Sequence, residues 1–292
     1  MPKTGSRAYG IALVAIASLL WSTAGVLFRL VDLDVWTIQL WRSVFGGLSL
    51  VAVAAIEHGR HTPRAFLTIG RPGLVAVPIT ALSMIAYSGA LQLTTVANVL
   101  IVYATVPFVA AGVAYLWIGE RIDRRTAIAA GIALLGVAVM AGAATRPEDV
   151  AGAALSFVMT LSFGVLIVMA RRWPTLEMGP INAIGAALLV PICWYLSERS
   201  LPSLRDLAVL AALGVGTLGL AYLLFLTGSR HIAASEAGLI ALLDVVLGPL
   251  WVWLAFAENP GLSAIVGGGI VLGALVWYLG GARRRQAAPA ST

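Results

Sequence analysis

Ten stretches of 19 to 26 residues, almost empty of charge, dictate the solvent this chain folds in. They are Ala8–Phe28, Val35–Ile56, Pro72–Leu91, Val96–Gly119, Thr126–Ala144, Val150–Ala170, Met178–Ser197, Leu207–Ser229, Ile232–Ala257 and Pro260–Ala282. A helix needs ~20 mostly apolar residues to cross the hydrocarbon core of a bilayer, and eight of these ten hold no Asp, Glu, Lys or Arg. They make up three quarters of the 292 residues, and the longest gap, Glu57–Arg71, is 15 residues. No sizeable extramembrane domain fits into such gaps. Only 11% of the residues are charged, against ~25% for a soluble domain. An ordinary soluble protein, a disordered chain and, with one cysteine, a disulfide scaffold are excluded. The alternation of an outer-membrane barrel is absent. The expected fold is an all-α polytopic membrane protein with ten transmembrane helices. The first stretch exceeds the ~7–15 apolar residues of a signal peptide and reads as a retained helix.

Lys and Arg favour the cytoplasmic side of short loops. An even number of helices puts both termini on one side. That side holds Lys3, Arg7, Arg60, Arg64, Arg71, Arg121, Arg124, Arg125, Arg171, Arg172, Arg230, Arg283, Arg284 and Arg285. The opposite side holds Arg29, Arg146, Arg199 and Arg205. Fourteen against four predicts cytoplasmic termini and accounts for the net charge of +6. Because the basic residues are spread among short loops, they make no nucleic-acid patch. Cys193 falls inside the seventh helix and reads as a small packing residue.

The chain repeats itself at a shift of 138. Leu93-Thr94-Thr95-Val96-Ala97 through Glu120 matches His231-Ile232-Ala233-Ala234-Ser235 through Glu258. A Gly-rich helix follows each Glu, with Gly131 and Gly136 in one copy and Gly269 and Gly273 in the other. Gly10 through Arg29, with Trp21, sits less strongly against Gly152 through Arg171, with Phe163. The reading is two five-helix units, residues 1–145 and 146–292, the second ending in a short basic tail. Since five is odd, the second unit is inverted, the arrangement that supports alternating access about a midplane site.

On these residues the chain resembles the EamA family of the drug/metabolite transporter superfamily. The resemblance rests on the Gly119-Glu120 ending of helix four, the Gly-rich helix after it, Trp21-Ser22 in helix one and the doubled five-helix plan. Within that family it is most similar to YddG-type bacterial amino-acid exporters. The resemblance implies a multi-pass transporter of the bacterial inner membrane with no cofactor and no enzymatic activity. It also implies export, with amino acids, aromatic and other neutral ones, as substrates. The family often carries Glu-Pro in the middle of helix nine, whereas this chain has Asp244-Val245, with its proline at Pro249.

Asp244 lies at the centre of helix nine, where a carboxylate costs roughly 2.5–3.5 kcal/mol on insertion scales and must face a cavity or a partner. It is a substrate-ammonium contact, a proton site or a buried packing acid. Glu236, eight positions earlier, is either a mouth residue or a solvated helix end. Arg42 is expected to hold a substrate carboxylate, to pair with Asp244, or to snorkel to the interface. Pro107 and Pro249 are expected to interrupt helices four and nine at matching places, a pointer to a transporter's site. Trp21, Ser83, Tyr87, Tyr103, Phe163, Asn182 and Tyr222 complete the candidate substrate-binding set with Arg42 and Asp244. Ser83 and Tyr87 are i and i+4 and share a face. Mid-helix aromatics also serve as plain packing groups. Trp36, Trp117, Trp173 and Trp277 read as interface anchors, and Glu120 and Glu258 as structural links to the helix that follows each. The Gly269/Gly273 pair serves internal packing or a homodimer; a monomer is equally compatible.

Other classes fare worse. Lys3 is the only lysine, so no Walker A motif exists. The three histidines lie in loops or at helix ends, and neither G-x-S-x-G nor H-E-x-x-H occurs. The competing readings are a drug, organic-cation or other metabolite carrier of the same superfamily and, from another class, a membrane-embedded enzyme or scaffold.

Overall fold

The computed structural model describes residues 4–122, 124–141, 147–198, 201–232 and 234–287, and every regular element among them is helical. The α-helices are α1 (Thr4–Ser22), α2 (Ala24–Arg29), α3 (Val35–His58), α4 (Thr62–Leu67), α5 (Gly70–Leu93), α6 (Val96–Tyr103) and α7 (Val106–Ile118). They continue as α8 (Arg124–Ala141), α9 (Pro147–Arg172), α10 (Met178–Leu196), α11 (Leu204–Gly214), α12 (Ala221–Ser229), α13 (Ala234–Phe256) and α14 (Gly261–Ala287). Among the described residues, seven helical runs are long and apolar enough to cross a membrane, and the bent pair α6–α7 makes an eighth. The other two stretches expected to cross are helical as α8 and α13.

The helix starts obey local chemistry. Orphan N–H groups of a first turn take a side-chain acceptor. Asp34 caps α3 through the Trp36 and Thr37 nitrogens, both at 3.0 Å. Thr95 caps α6 through the Asn98 nitrogen. Ser203 and Asp206 form a reciprocal capping box on α11.

Three interruptions divide the long helices. Thr23 ends α1, its hydroxyl donating to the Leu20 carbonyl at 2.7 Å. Thr105 donates likewise to the Val102 carbonyl at 2.7 Å, just before Pro107 opens α7, and the axes of α6 and α7 differ by 40°. A hydroxyl that bonds the carbonyl three residues back competes with the helical ladder, and a proline has no N–H to restore it. The third interruption is a π turn at Val215–Leu220, between α11 and α12. The expectation of matched breaks is corrected here, because α13 runs unbroken across Pro249. Pro107 sits close to a competing threonine, Thr105, whereas Pro249 follows Gly248 and, at the shift of 138, lies four residues beyond the position that matches Pro107.

The pairings interleave the two ends of the chain. α3 packs along α10, α8 along α14, α5 along α9, and α1 between α12 and α13. α6 and α7 lie on α9, as α13 lies on α1 and α2. The main apolar core includes Ala24, Phe28, Val31, Ile38, Leu91, Val96 and Leu100, with Leu213 and Val252 from the second half. Large apolar side chains such as Leu48, Leu74, Leu116, Leu254 and Leu262 point outward, a surface suited to lipid. Gly136 is where α8 meets α14, since a Cβ there would lie 2.7 Å from the Gly267 carbonyl oxygen. A Cβ on Gly269 or Gly273 would meet nothing within 4 Å among the described residues, so that face takes no part in their internal packing.

Candidate functional site

A cavity of about 430 Å³ lies among α1, α2, α3, α5, α6, α9, α10, α12, α13 and the π turn. Trp21, Arg42, Ser83, Tyr87, Tyr103, Phe163, Asn182, Tyr222 and Asp244 all line it. Sequence reasoning missed Thr80, Met84, Met159, Thr217 and Phe225, which share its wall. Thr80 and Met84 were legible, since Thr80, Ser83, Met84 and Tyr87 follow the i, i+3, i+4, i+7 spacing of one helix face. The π turn was signalled only by its glycines, Gly214, Gly216 and Gly219.

Several contacts shape the wall. The Trp21 indole Nε1 donates to the Thr217 carbonyl at 2.8 Å, tying α1 to the π turn, and its ring meets Phe225 at 5.2 Å. Tyr103 and Phe163 meet at 5.8 Å. Ser83 donates to the Met159 carbonyl at 3.5 Å. α11 presses so closely on α3 that a Cβ on Gly214 would lie 2.9 Å from the Arg42 carbonyl oxygen; only glycine fits that approach.

The two charges of the cavity stand apart. Arg42 is 6% exposed, so it does not snorkel. Its guanidinium lies over the Tyr87 ring at 4.9 Å, and its Nη1 reaches the Gln39 Oε1 at 3.4 Å. Its buried Nε has no hydrogen-bond partner among the described residues, nor has the Thr80 hydroxyl. Among the described ion pairs none joins Arg42 to Asp244, so of the alternatives for Arg42 the pairing with Asp244 is not the one observed. Asp244 lines the cavity and makes no hydrogen bond with a described residue. The Glu236 side chain lies outside the described ones.

Polar contacts gather at the two ends of the bundle. At one, Arg29 binds Glu258 at 2.9 Å and donates to the Leu91 carbonyl at 2.7 Å and the Thr94 carbonyl at 2.9 Å. Glu258 also accepts from the Val96 nitrogen at 2.9 Å, and Thr94 donates to Asp149. At the other, Arg171 binds Glu120 at 2.9 Å, His58 binds Glu177 at 2.9 Å and Arg230 binds Glu57 at 3.4 Å. Trp117 meets Trp173 at 5.8 Å, and the Arg125 guanidinium lies over Trp277 at 4.4 Å. Glu120 and Glu258 were read as links to the next helix. Each instead reaches across to the arginine that ends α9 or α2, because a carboxylate at a helix end is stabilised most by a cation within salt-bridge reach.

The model of the EamA-like transporter family matches the chain twice, over residues 8–142 and 149–280. An uncharacterized transporter of Archaeoglobus fulgidus is 24% identical over 278 residues, spanning 90% of this chain and 94% of that protein. One crystal structure shares the fold with a TM-score of 0.64 at 21% identity, over 96% of this chain and 99% of the other. With apolar helices long enough to span a bilayer, a multi-pass architecture and two matches that together cover most of its length, the chain belongs to the EamA-like transporter family.

Proposed function

We propose that this transporter carries amino acids, aromatic ones among them, out across a bacterial inner membrane by alternating access about the central cavity. The observation that carries this reading is the cavity's unpaired charges. A guanidinium with a buried donor and a carboxylate, neither donor nor carboxylate hydrogen-bonded by a described residue, line one chamber and do not neutralise each other. Unpaired charge at membrane depth is costly and marks a substrate or ion pathway. A zwitterion supplies the missing partner to both. Trp21, Tyr87, Tyr103, Phe163, Tyr222 and Phe225 offer apolar walls for a variable side chain. The volume falls within the ~300–1,000 Å³ of small-molecule pockets, and a polyanionic nucleotide would find one cation there. Export is taken from the resemblance to amino-acid exporters.

The same reading includes ten spans in two inverted halves, residues 1–145 and 146–292, with cytoplasmic termini. Three features support it. The family model matches once in each half. The packing pairs also survive exchange of the halves, since α5 on α9 corresponds to α12 on α1, and α7 on α9 to α13 on α1. The polar end contacts sort accordingly, with Arg29, Thr94, Asp149 and Glu258 at one end and Glu57, His58, Glu120, Arg171 and Arg230 at the other.

The test is flux from proteoliposomes loaded with tryptophan, phenylalanine, threonine or methionine. Faster loss than from empty vesicles is expected. If none moves while an organic cation or a sugar does, the carrier serves another metabolite class.

A further inference from the structure

Burying a charged arginine ordinarily requires a carboxylate partner, because the desolvation cost is several kcal/mol. Arg42 is buried without one among the described residues. The groups packed against it are the Tyr87 ring and the Gln39 side-chain oxygen, and α10, which runs beside α3, carries no charged residue at all. Gln39 is itself 1% exposed and absent from the cavity wall. Its Nε2 donates to Ser43 at 2.8 Å, and its Oε1 accepts from Ser88 at 2.5 Å as well as from Arg42. Both neighbours, one on α3 and one on α5, complete the bonds of the amide while its oxygen faces the guanidinium. That orientation is the one the donor inventory demands, since arginine only donates.

We propose, building on the amino-acid reading above, that Gln39 is a specificity-determining residue acting through Arg42. It aligns the guanidinium while leaving its charge unspent, so that the carboxylate needed to neutralise Arg42 must come from the substrate. A neutral amide gives direction without compensation. A carboxylate at the same place would give both, and the site would then no longer need an acid in its ligand. Gln39 touches no ligand, so it is a positioning residue.

The experiment measures binding of three indole probes to the purified full-length protein. Tryptophan carries both charges, indole-3-propionate only the carboxylate, and tryptamine only the ammonium. In the wild type, tryptamine is expected to bind at least tenfold more weakly than tryptophan. Gln39→Glu should weaken both carboxylate probes tenfold or more and leave tryptamine unchanged or tighter, reversing the preference. Gln39→Met, which removes the acceptor without adding charge, should weaken the two carboxylates severalfold and leave tryptamine alone. An equal loss for all three probes in a variant that still melts cooperatively would mean a merely structural role and overturn the proposal. So would a wild type that binds tryptamine as well as tryptophan, or that binds no carboxylate probe. If indole-3-propionate matches tryptophan in the wild type and loses that affinity in Gln39→Glu, the role of Gln39 stands and the amino-acid reading falls.

Discussion

The two ends of the bundle are built from equivalent parts, each an arginine ending a helix against a glutamate ending another, yet they are not in the same condition. Arg29 and Glu258 are largely shielded, with 25% and 20% of their side chains exposed, and both make further bonds to the backbone at Leu91, Thr94 and Val96. Arg171 and Glu120 are 55% and 46% exposed, and among the described residues their side chains bond only each other. The cavity follows the same difference. It reaches Ala170, Met178 and Leu226, close to the Arg171 end, whereas Phe28, Val31, Leu91 and Val96 fill the bundle toward the Arg29 end. One end is shielded and tightly tied over an apolar core; the other is loosely tied next to the chamber. Equivalent sequence parts thus acquire different surroundings at the two ends.

Compartment is the widest contrast to be drawn between these ends. With Cys193→Ala as background, Gly59→Cys should resist an impermeant thiol reagent added outside intact cells, and Arg199→Cys should react fully. The reverse pattern overturns the orientation. Next in size is the chamber between the ends. Asp244→Asn keeps the volume and removes the charge, so flux should fall by more than tenfold while the thermal midpoint stays near that of the wild type. Unchanged flux would make Asp244 a packing acid.

Much of this was legible beforehand, for definite reasons. Long apolar runs leave a helix as the only way to satisfy the backbone in lipid, so the helices are readable without tertiary context. All nine candidate residues line one chamber, although mid-helix polar groups such as Gln39, Ser88 and Thr160 are buried away from it. What escaped was whatever depends on a neighbour. Pro107 and Pro249 look alike in sequence, but only Pro107 has Thr105 beside it to bond the preceding turn, so only that helix breaks. The π turn at Val215–Leu220 exists where α11 is drawn onto α3, a contact no local pattern records. Gln39 stood three positions before Arg42 and was passed over, since its importance lies in Ser88, on another helix.

The closing pair of predictions sets the two latches side by side. Glu258→Gln removes a charge that holds a shielded guanidinium, although its amide still accepts one bond. Hydrogen bonds to charged groups contribute ~1.5–3 kcal/mol, so a loss of about 2 kcal/mol is expected, with a clear drop in thermal midpoint in detergent. Glu120→Gln acts on an exposed pair, whose contribution is typically ~0–1 kcal/mol and is screened by salt. Its midpoint should move little, and raising the salt concentration should erase even that. Flux separates the two more finely. Loosening the tightly tied Arg29 end should shift the balance of states and change the rate measurably, while loosening an end that is already loosely tied should leave it near the wild-type value. If Glu120→Gln instead costs as much as Glu258→Gln, the exposed pair is not the weaker latch, and the difference in surroundings has no energetic counterpart.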